Sequence, residues 1–97
     1  MQSRADEAAA FLKALAHEGR LLILCYLNAG EKSVTELERL LGQRQAAVSQ
    51  QLARLRMEGL VRSRRDGKTI YYSIGDPKAQ RAIALLYDMF CAEPDAG

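Results

Sequence analysis

Histidine occurs once in this chain, and cysteine and proline twice each. With His17 alone there is no Ser-His-Asp set to assemble, and no phosphate-binding loop is present, so an enzyme is not expected. Metal chemistry is equally short of material, because a transition-metal site needs three or four Cys, His, Asp or Glu ligands brought together. His17 and Cys25 lie eight residues apart, more than two helical turns, too far to share an ion within one helix. No apolar run approaches the roughly 20 residues that a membrane span needs. The start, MQSRADEAAAFLKAL, sets Asp6 and Glu7 ahead of any apolar run. That argues against a secretory signal and makes the cytoplasm the expected compartment. Two cysteines in a reducing compartment are more often free thiols than a structural bridge. Repeats, low-complexity tracts and linkers are also missing, so residues 1–97 read as a single domain.

What the chain does have is an uneven charge. Residues 44 to 68 carry seven basic side chains, Arg44, Arg54, Arg56, Arg62, Arg64, Arg65 and Lys68, against Glu58 and Asp66. This local +5 leaves −3 for the rest of a chain whose net charge is +2. A basic block inside an acidic chain suits a nucleic-acid surface, although a solvated charged face looks the same on charge alone.

Periodicity divides the chain into elements. Ala8, Phe11, Leu12 and Leu15 have the spacing of a one-sided helix. His17-Glu18-Gly19 interrupts it, and Arg20 to Leu27, apolar on every side, predicts a central buried helix ended by Asn28-Ala29-Gly30. Ser33-Val34-Thr35-Glu36 is a capping box opening a short helix with Val34, Leu37, Leu40 and Leu41 inside. Gly42 stops it. A helix from Gln45 to Glu58 buries Val48, Leu52 and Leu55 and ends at Gly59. Two helices joined by a tight turn make a helix-turn-helix. Leu60–Arg64 and Thr69–Ile74 read as strands, with Asp66-Gly67 as the hairpin turn. Asp76-Pro77 opens a last helix with the stripe Ile83, Leu86, Tyr87 and Phe90, ending at Cys91. The fold class is mainly α with a β-hairpin wing: a winged helix-turn-helix of four helices, a hairpin and a fifth helix.

On the Gln45–Glu58 helix, Ala46, Gln50, Ala53 and Arg54 point away from the buried face, with Gln45 and Ser49 at its margins near the N-terminus. Gln pairs bidentately with adenine, Ser contacts bases or phosphates, and Arg reaches guanine or phosphate. The N-terminal end of such a helix is the part that meets base edges. Arg44 precedes it, and Arg64, Arg65 and Lys68 surround the wing tip as candidate phosphate contacts. The alternative for this architecture is a protein-interaction adaptor without salt-dependent DNA affinity.

The segment VTELERLLGQRQAAVSQQLARLRMEGLV, residues 34–61, resembles the core of the ArsR/SmtB family of bacterial repressors, and RRDGKTIYYSI resembles that family's wing. The resemblance runs from Phe11 to Cys91. It implies a homodimer built from the first and last helices, double-stranded operator DNA with an inverted repeat, and release when an inducer binds. Gln43-Arg44 departs from the usual apolar-Ser pair, removing a helix cap and adding a charge. Many family members carry a metal-binding cysteine motif in the helix that here reads TELERL, and others carry Asp and His ligands in the last helix, which here has no His. No metal or other cofactor is therefore expected, although a metal-sensing repressor remains an alternative.

The two thiols admit two readings. Cys25 lies in the apolar LLILCYL, and Cys91 follows Asp88 near a helix C-terminus, both of which disfavour a thiolate and favour plain packing. Yet LLILCYL and LLYDMFC also resemble the two-cysteine branch of the family, the persulfide-responsive repressors of the SqrR/BigR and HlyU type. That likeness implies Cys25 and Cys91 as a redox-sensing pair and reactive sulfur species as the inducer. A generic thiol oxidant is the rival inducer. A direct disulfide needs Cα atoms within about 4.4–6.8 Å, and a multi-sulfur bridge tolerates more; the sequence leaves that choice open.

Overall fold

The computed structural model describes residues 4–91, the last by its backbone alone. Helix α1 (Ala5–Leu15) and helix α2 (Glu18–Asn28) meet at a corner built by His17. Its extended backbone lets Nδ1 accept from the N–H groups of Gly19 and Arg20, at 3.1 and 3.4 Å. Arg20 Nε donates to the Ala14 carbonyl at 2.9 Å, tying the second helix back to the first. Only the last turn of α1, Ala14 and Leu15, is buried. Phe11 packs partly buried against the core, whereas Leu12, expected on the same inner stripe, is 62% exposed.

Helix α2 is central but not buried all round. Ile23, Leu24 and Leu27 are fully enclosed, while Leu22 is 42% exposed and Cys25 and Tyr26 are half-buried. The all-apolar run therefore serves two surfaces, the core on one side and a face left uncovered in the protomer. Helix α3 (Val34–Leu41) opens with both halves of the expected capping box: Glu36 N–H donates to Ser33 Oγ at 3.1 Å and Ser33 N–H to Glu36 Oε1 at 2.9 Å. Leu37 is its one buried side chain. Leu40 is 40% exposed instead of inside, and its carbonyl accepts the Tyr26 hydroxyl at 3.3 Å. Gly42 ends the helix in the left-handed region, φ 65° and ψ 30°.

Helix α4 (Gln45–Met57) buries Val48, Leu52 and Leu55, as its spacing predicts. Three strands follow a pattern that periodicity alone did not reveal. Strand β1 (Lys32–Ser33) is only two residues long and pairs with β3 (Thr69–Ile74), which pairs with β2 (Val61–Asp66); all pairings are antiparallel. The hairpin strand begins one residue later than expected and reaches Asp66. Asp66 pairs with Thr69, so the two-residue turn is Gly67-Lys68 rather than Asp66-Gly67. Of the two turn residues only Gly67 has a positive φ, the pattern of a II′ turn, which needs glycine only at its first central position.

Helix α5 (Pro77–Leu86) starts at Asp76, whose Oδ1 accepts from Lys78 N–H at 2.8 Å, with Pro77 in the first turn. The expected α-helical stripe to Cys91 breaks after Leu86, where Tyr87–Cys91 widens into a π-helical turn. Ala79 and Ile83 reach the core, whereas Tyr87 and Phe90 stand 43% and 79% exposed.

Candidate DNA interface and thiol site

Helix α4 is placed for a groove by what it buries. With Val48, Leu52 and Leu55 anchored, Gln45, Ala46, Ser49, Gln50, Ala53 and Arg54 are all exposed, as the helical wheel predicts. Arg44 is the N-cap and makes no side-chain cap, which is the consequence expected of Gln43-Arg44. The first backbone N–H groups of α4 thus emerge beside small side chains, Ala46 and Ala47, a surface that allows close approach of a phosphate. Arg54, at the far end, is partly engaged: Nε donates to Glu58 Oε1 at 3.3 Å across one helical turn. Gln51, which the wheel leaves unassigned, is half-buried and faces the start of α2. A Cβ on Gly19 would lie 3.3 Å from Gln51 Nε2 and 3.2 Å from His17 Cε1. The absence of a side chain at Gly19 is what lets α2 and α4 approach there.

The wing's three predicted cations do not behave alike. Arg65 and Lys68 are exposed, and among the described residues neither forms an ion pair. Arg64 is exposed as well, with 55% of its side chain accessible, but it also has partners within the protein. Its Nε and Nη2 each donate at 2.7 Å to the two carboxylate oxygens of Glu31, and its guanidinium carbon lies 4.7 Å from the Tyr71 ring centroid. The Arg64 bond holds the Glu31 carboxyl below the usual carboxylate range and raises Arg64 in return. Neither Glu31 nor Tyr71 stands out in the sequence. The only signal available was that Arg64 faces Tyr71 across a hairpin, and it becomes readable once the register is known.

The thiol site centres on α2. Cys25 is half-buried on the wall of a hollow of about 460 Å³. Leu21, Leu22, His17 and Glu18 line the same side, and Leu86 and Phe90 line the other. The sequence separates these walls by some sixty residues, and the packing of α2 against α5 brings them together. The hollow is apolar apart from His17 and Glu18 at the start of α2. Cys91 ends the π-helical turn immediately after Phe90, and its side chain lies outside the described residues. Among the described residues no three His, Cys, Asp or Glu side chains cluster as a metal site would require. No helix among them is long and apolar enough to cross a membrane.

Comparison with known proteins gives the architecture relatives. Residues 17–63 match the model of the family described as bacterial regulatory protein, arsR family. The chain is 50% identical to the biofilm growth-associated repressor of Agrobacterium fabrum, over 95% of this chain and 79% of that protein. The crystal structure of the transcriptional regulator HlyU from Vibrio vulnificus superposes with a TM-score of 0.91 at 42% identity, covering 94% of this chain and 95% of that one. That of the transcriptional repressor BigR from Xylella fastidiosa gives 0.88 at 43% identity, covering 100% and 96%.

Proposed function

This chain belongs to the arsR family of bacterial regulatory proteins, DNA-binding transcription regulators and not enzymes. From that premise we propose that it is a homodimeric cytoplasmic repressor whose hold on an inverted-repeat operator is released by persulfide or polysulfide chemistry linking Cys25 to Cys91. In this reading Gln45, Ser49 and Gln50 read base edges from the N-terminal half of α4, and Ala46 keeps the approach close. Arg44, Arg54, Arg65 and Lys68 hold phosphates.

The observation that carries the proposal is the hollow beside Cys25. It joins the thiol on α2 to Leu86 and Phe90 on the segment that ends at Cys91. Each cysteine accepts a sulfane sulfur from a persulfide RSSH, releasing RSH. The terminal sulfur of one protein persulfide then attacks the cysteine-bound sulfur of the other and expels hydrogen sulfide, leaving a trisulfide link. Two thiols and two RSSH thus become one trisulfide, two RSH and one H₂S. A link of this kind pulls on α2, whose first turn meets Gln51 of α4 at Gly19, so strain at the thiol has a short route to the recognition helix.

A dimer is supported by what the protomer leaves uncovered. Leu12 of α1, Leu22 of α2, and Leu85, Tyr87, Met89 and Phe90 at the end of the chain are all more than 40% exposed. So much apolar surface along the first and last helices suits a second copy. The radius of gyration, 14.1 Å, also exceeds the roughly 12.5 Å of a compact domain of this length.

Intact-mass measurement with peptide mapping, after anaerobic treatment with an organic persulfide, tests the sulfur chemistry. We expect a species joining Cys25 to Cys91 with added sulfur. Unmodified cysteines, or the same direct disulfide from peroxide and persulfide alike, contradict it.

A further inference from the structure

Arg64, although 55% exposed, has its guanidinium engaged within the protein. The sheet register places Ser33, Tyr71 and Arg64 in one row across β1, β3 and β2. Glu31 lies two residues before Ser33, on the loop that leaves α2. The guanidinium is therefore held from two sides, by both carboxylate oxygens at 2.7 Å and by the Tyr71 ring at 4.7 Å. Side chains alternate along a strand, so Arg65, the next residue, projects from the opposite face. A planar guanidinium is the one cation that can grip a carboxylate with two parallel bonds while lying on an aromatic ring. Glu31, moreover, is 33 residues from Arg64 in sequence and belongs to neither the recognition helix nor the hairpin.

We infer that Glu31, Arg64 and Tyr71 form a clamp that fixes the wing against the loop after α2, and that Arg64 is a positioning residue for DNA binding rather than a phosphate ligand. The wing reaches DNA through Arg65 and Lys68, and the angle at which it does so is set by the clamp. The loop holding Glu31 also links α2 to α3, so the wing is referenced to the same body that carries α4. This inference rests on the DNA-binding reading and specifies how the wing takes part in it.

Salt dependence separates the two roles of an arginine, because log K falls with log salt at about 0.9 per phosphate neutralised on duplex DNA. Replacing Arg64 alone would leave Glu31 as an uncompensated negative charge. The informative variant is therefore the double substitution Glu31→Gln with Arg64→Met, which removes the clamp and leaves the net charge unchanged. Its affinity for a duplex enriched by the wild-type protein from a randomised pool is measured from low to moderate salt. We expect binding about three- to ten-fold weaker at every salt concentration, with the slope and the thermal midpoint close to those of the wild type. A slope shallower by about 0.9 per protomer makes Arg64 a phosphate ligand and overturns the inference. Unchanged affinity overturns it as well. Arg64→Lys is the second variant: it keeps the charge but lacks the fork, and is expected to remain weak. Full recovery by lysine shows that charge alone suffices and overturns the clamp. Failure of the wild type to show any salt-dependent binding strikes instead at the DNA-binding reading.

Discussion

Replacing Cys25 by serine removes the sulfur nucleophile at little change in volume, since the two side chains are close in size and the position is half-buried. C25S is expected to bind DNA like the reduced wild type and to keep that affinity after persulfide treatment. The check is anisotropy of a labelled duplex before and after treatment; a loss of binding in treated C25S contradicts a role for this thiol. Arg65→Met reads the other function. It is expected to weaken DNA binding at low salt and to flatten the salt dependence by about 0.9 per protomer. Much at this scale was legible early. The exposed set on α4 follows from three apolar anchors at helical spacing, so the sequence alone points to Gln45, Ser49 and Gln50. The sequence also marks Arg64, as a candidate phosphate contact, but not its tie to Glu31, because a charged residue carries no mark of the partner it finds 33 positions away. His17 likewise reads as an interruption between helices, and its role as a cap depends on a backbone turn seen only in three dimensions.

Helix ends are where single residues act on whole elements. Ser33→Ala removes one half of the capping box of α3 and is expected to cost about 1 kcal/mol, read as a lower midpoint in urea or thermal unfolding. The Ser33 backbone N–H holds the Glu36 carboxyl below its ordinary range. A carboxyl depressed in the folded state adds stability above its unfolded pKa and loses it as pH falls through the folded value. Wild-type stability is therefore expected to decline on acidification from about pH 5 downward, as the carboxylates of Glu31 and Glu36 protonate. An unfolding midpoint independent of pH across that range contradicts the assignment. Gly42→Ala forces a Cβ into a left-handed conformation, costing about 1–2 kcal/mol and disturbing the turn that aims α4. The capping box, the glycine stop and the proline start were readable because each is a local rule satisfied within four residues. Strand β1 was not, since two residues carry no period and exist as a strand only through pairing with Tyr71 and Tyr72. The hairpin turn slipped by one residue for a related reason: Asp-Gly and Gly-Lys both satisfy turn chemistry, and only the register chooses between them. The π-helical turn after Leu86 has no local signal that distinguishes it from continued α-helix.

The whole molecule has two faces that the protomer does not use. One is the basic surface of α4 and the wing tip, and the other is the apolar edge formed by α1 and the end of α5. Leu85→Glu, at a position 59% exposed in the protomer, is expected to shift the protein toward monomer in analytical ultracentrifugation while leaving its helical circular dichroism intact. DNA affinity should fall with it, since one recognition helix grips one half-site. A dimer that survives this charge contradicts an interface along α5. In the sequence a dimer through the first and last helices is implied by the family resemblance alone, and an all-apolar α2 reads as wholly internal because a sequence does not say how many bodies share it. Between the two faces lies α2, with Cys25 on the hollow and Gly19 against Gln51 of α4. The most direct measurement follows a single sample: the affinity of reduced protein for its selected duplex, then the affinity of the same protein after anaerobic persulfide treatment and mapping of the Cys25–Cys91 link. We expect the linked form to bind about 5- to 150-fold more weakly, the usual span of such couplings, and to recover on reduction. Linked protein that binds as tightly as the reduced form would contradict a sulfur-controlled repressor.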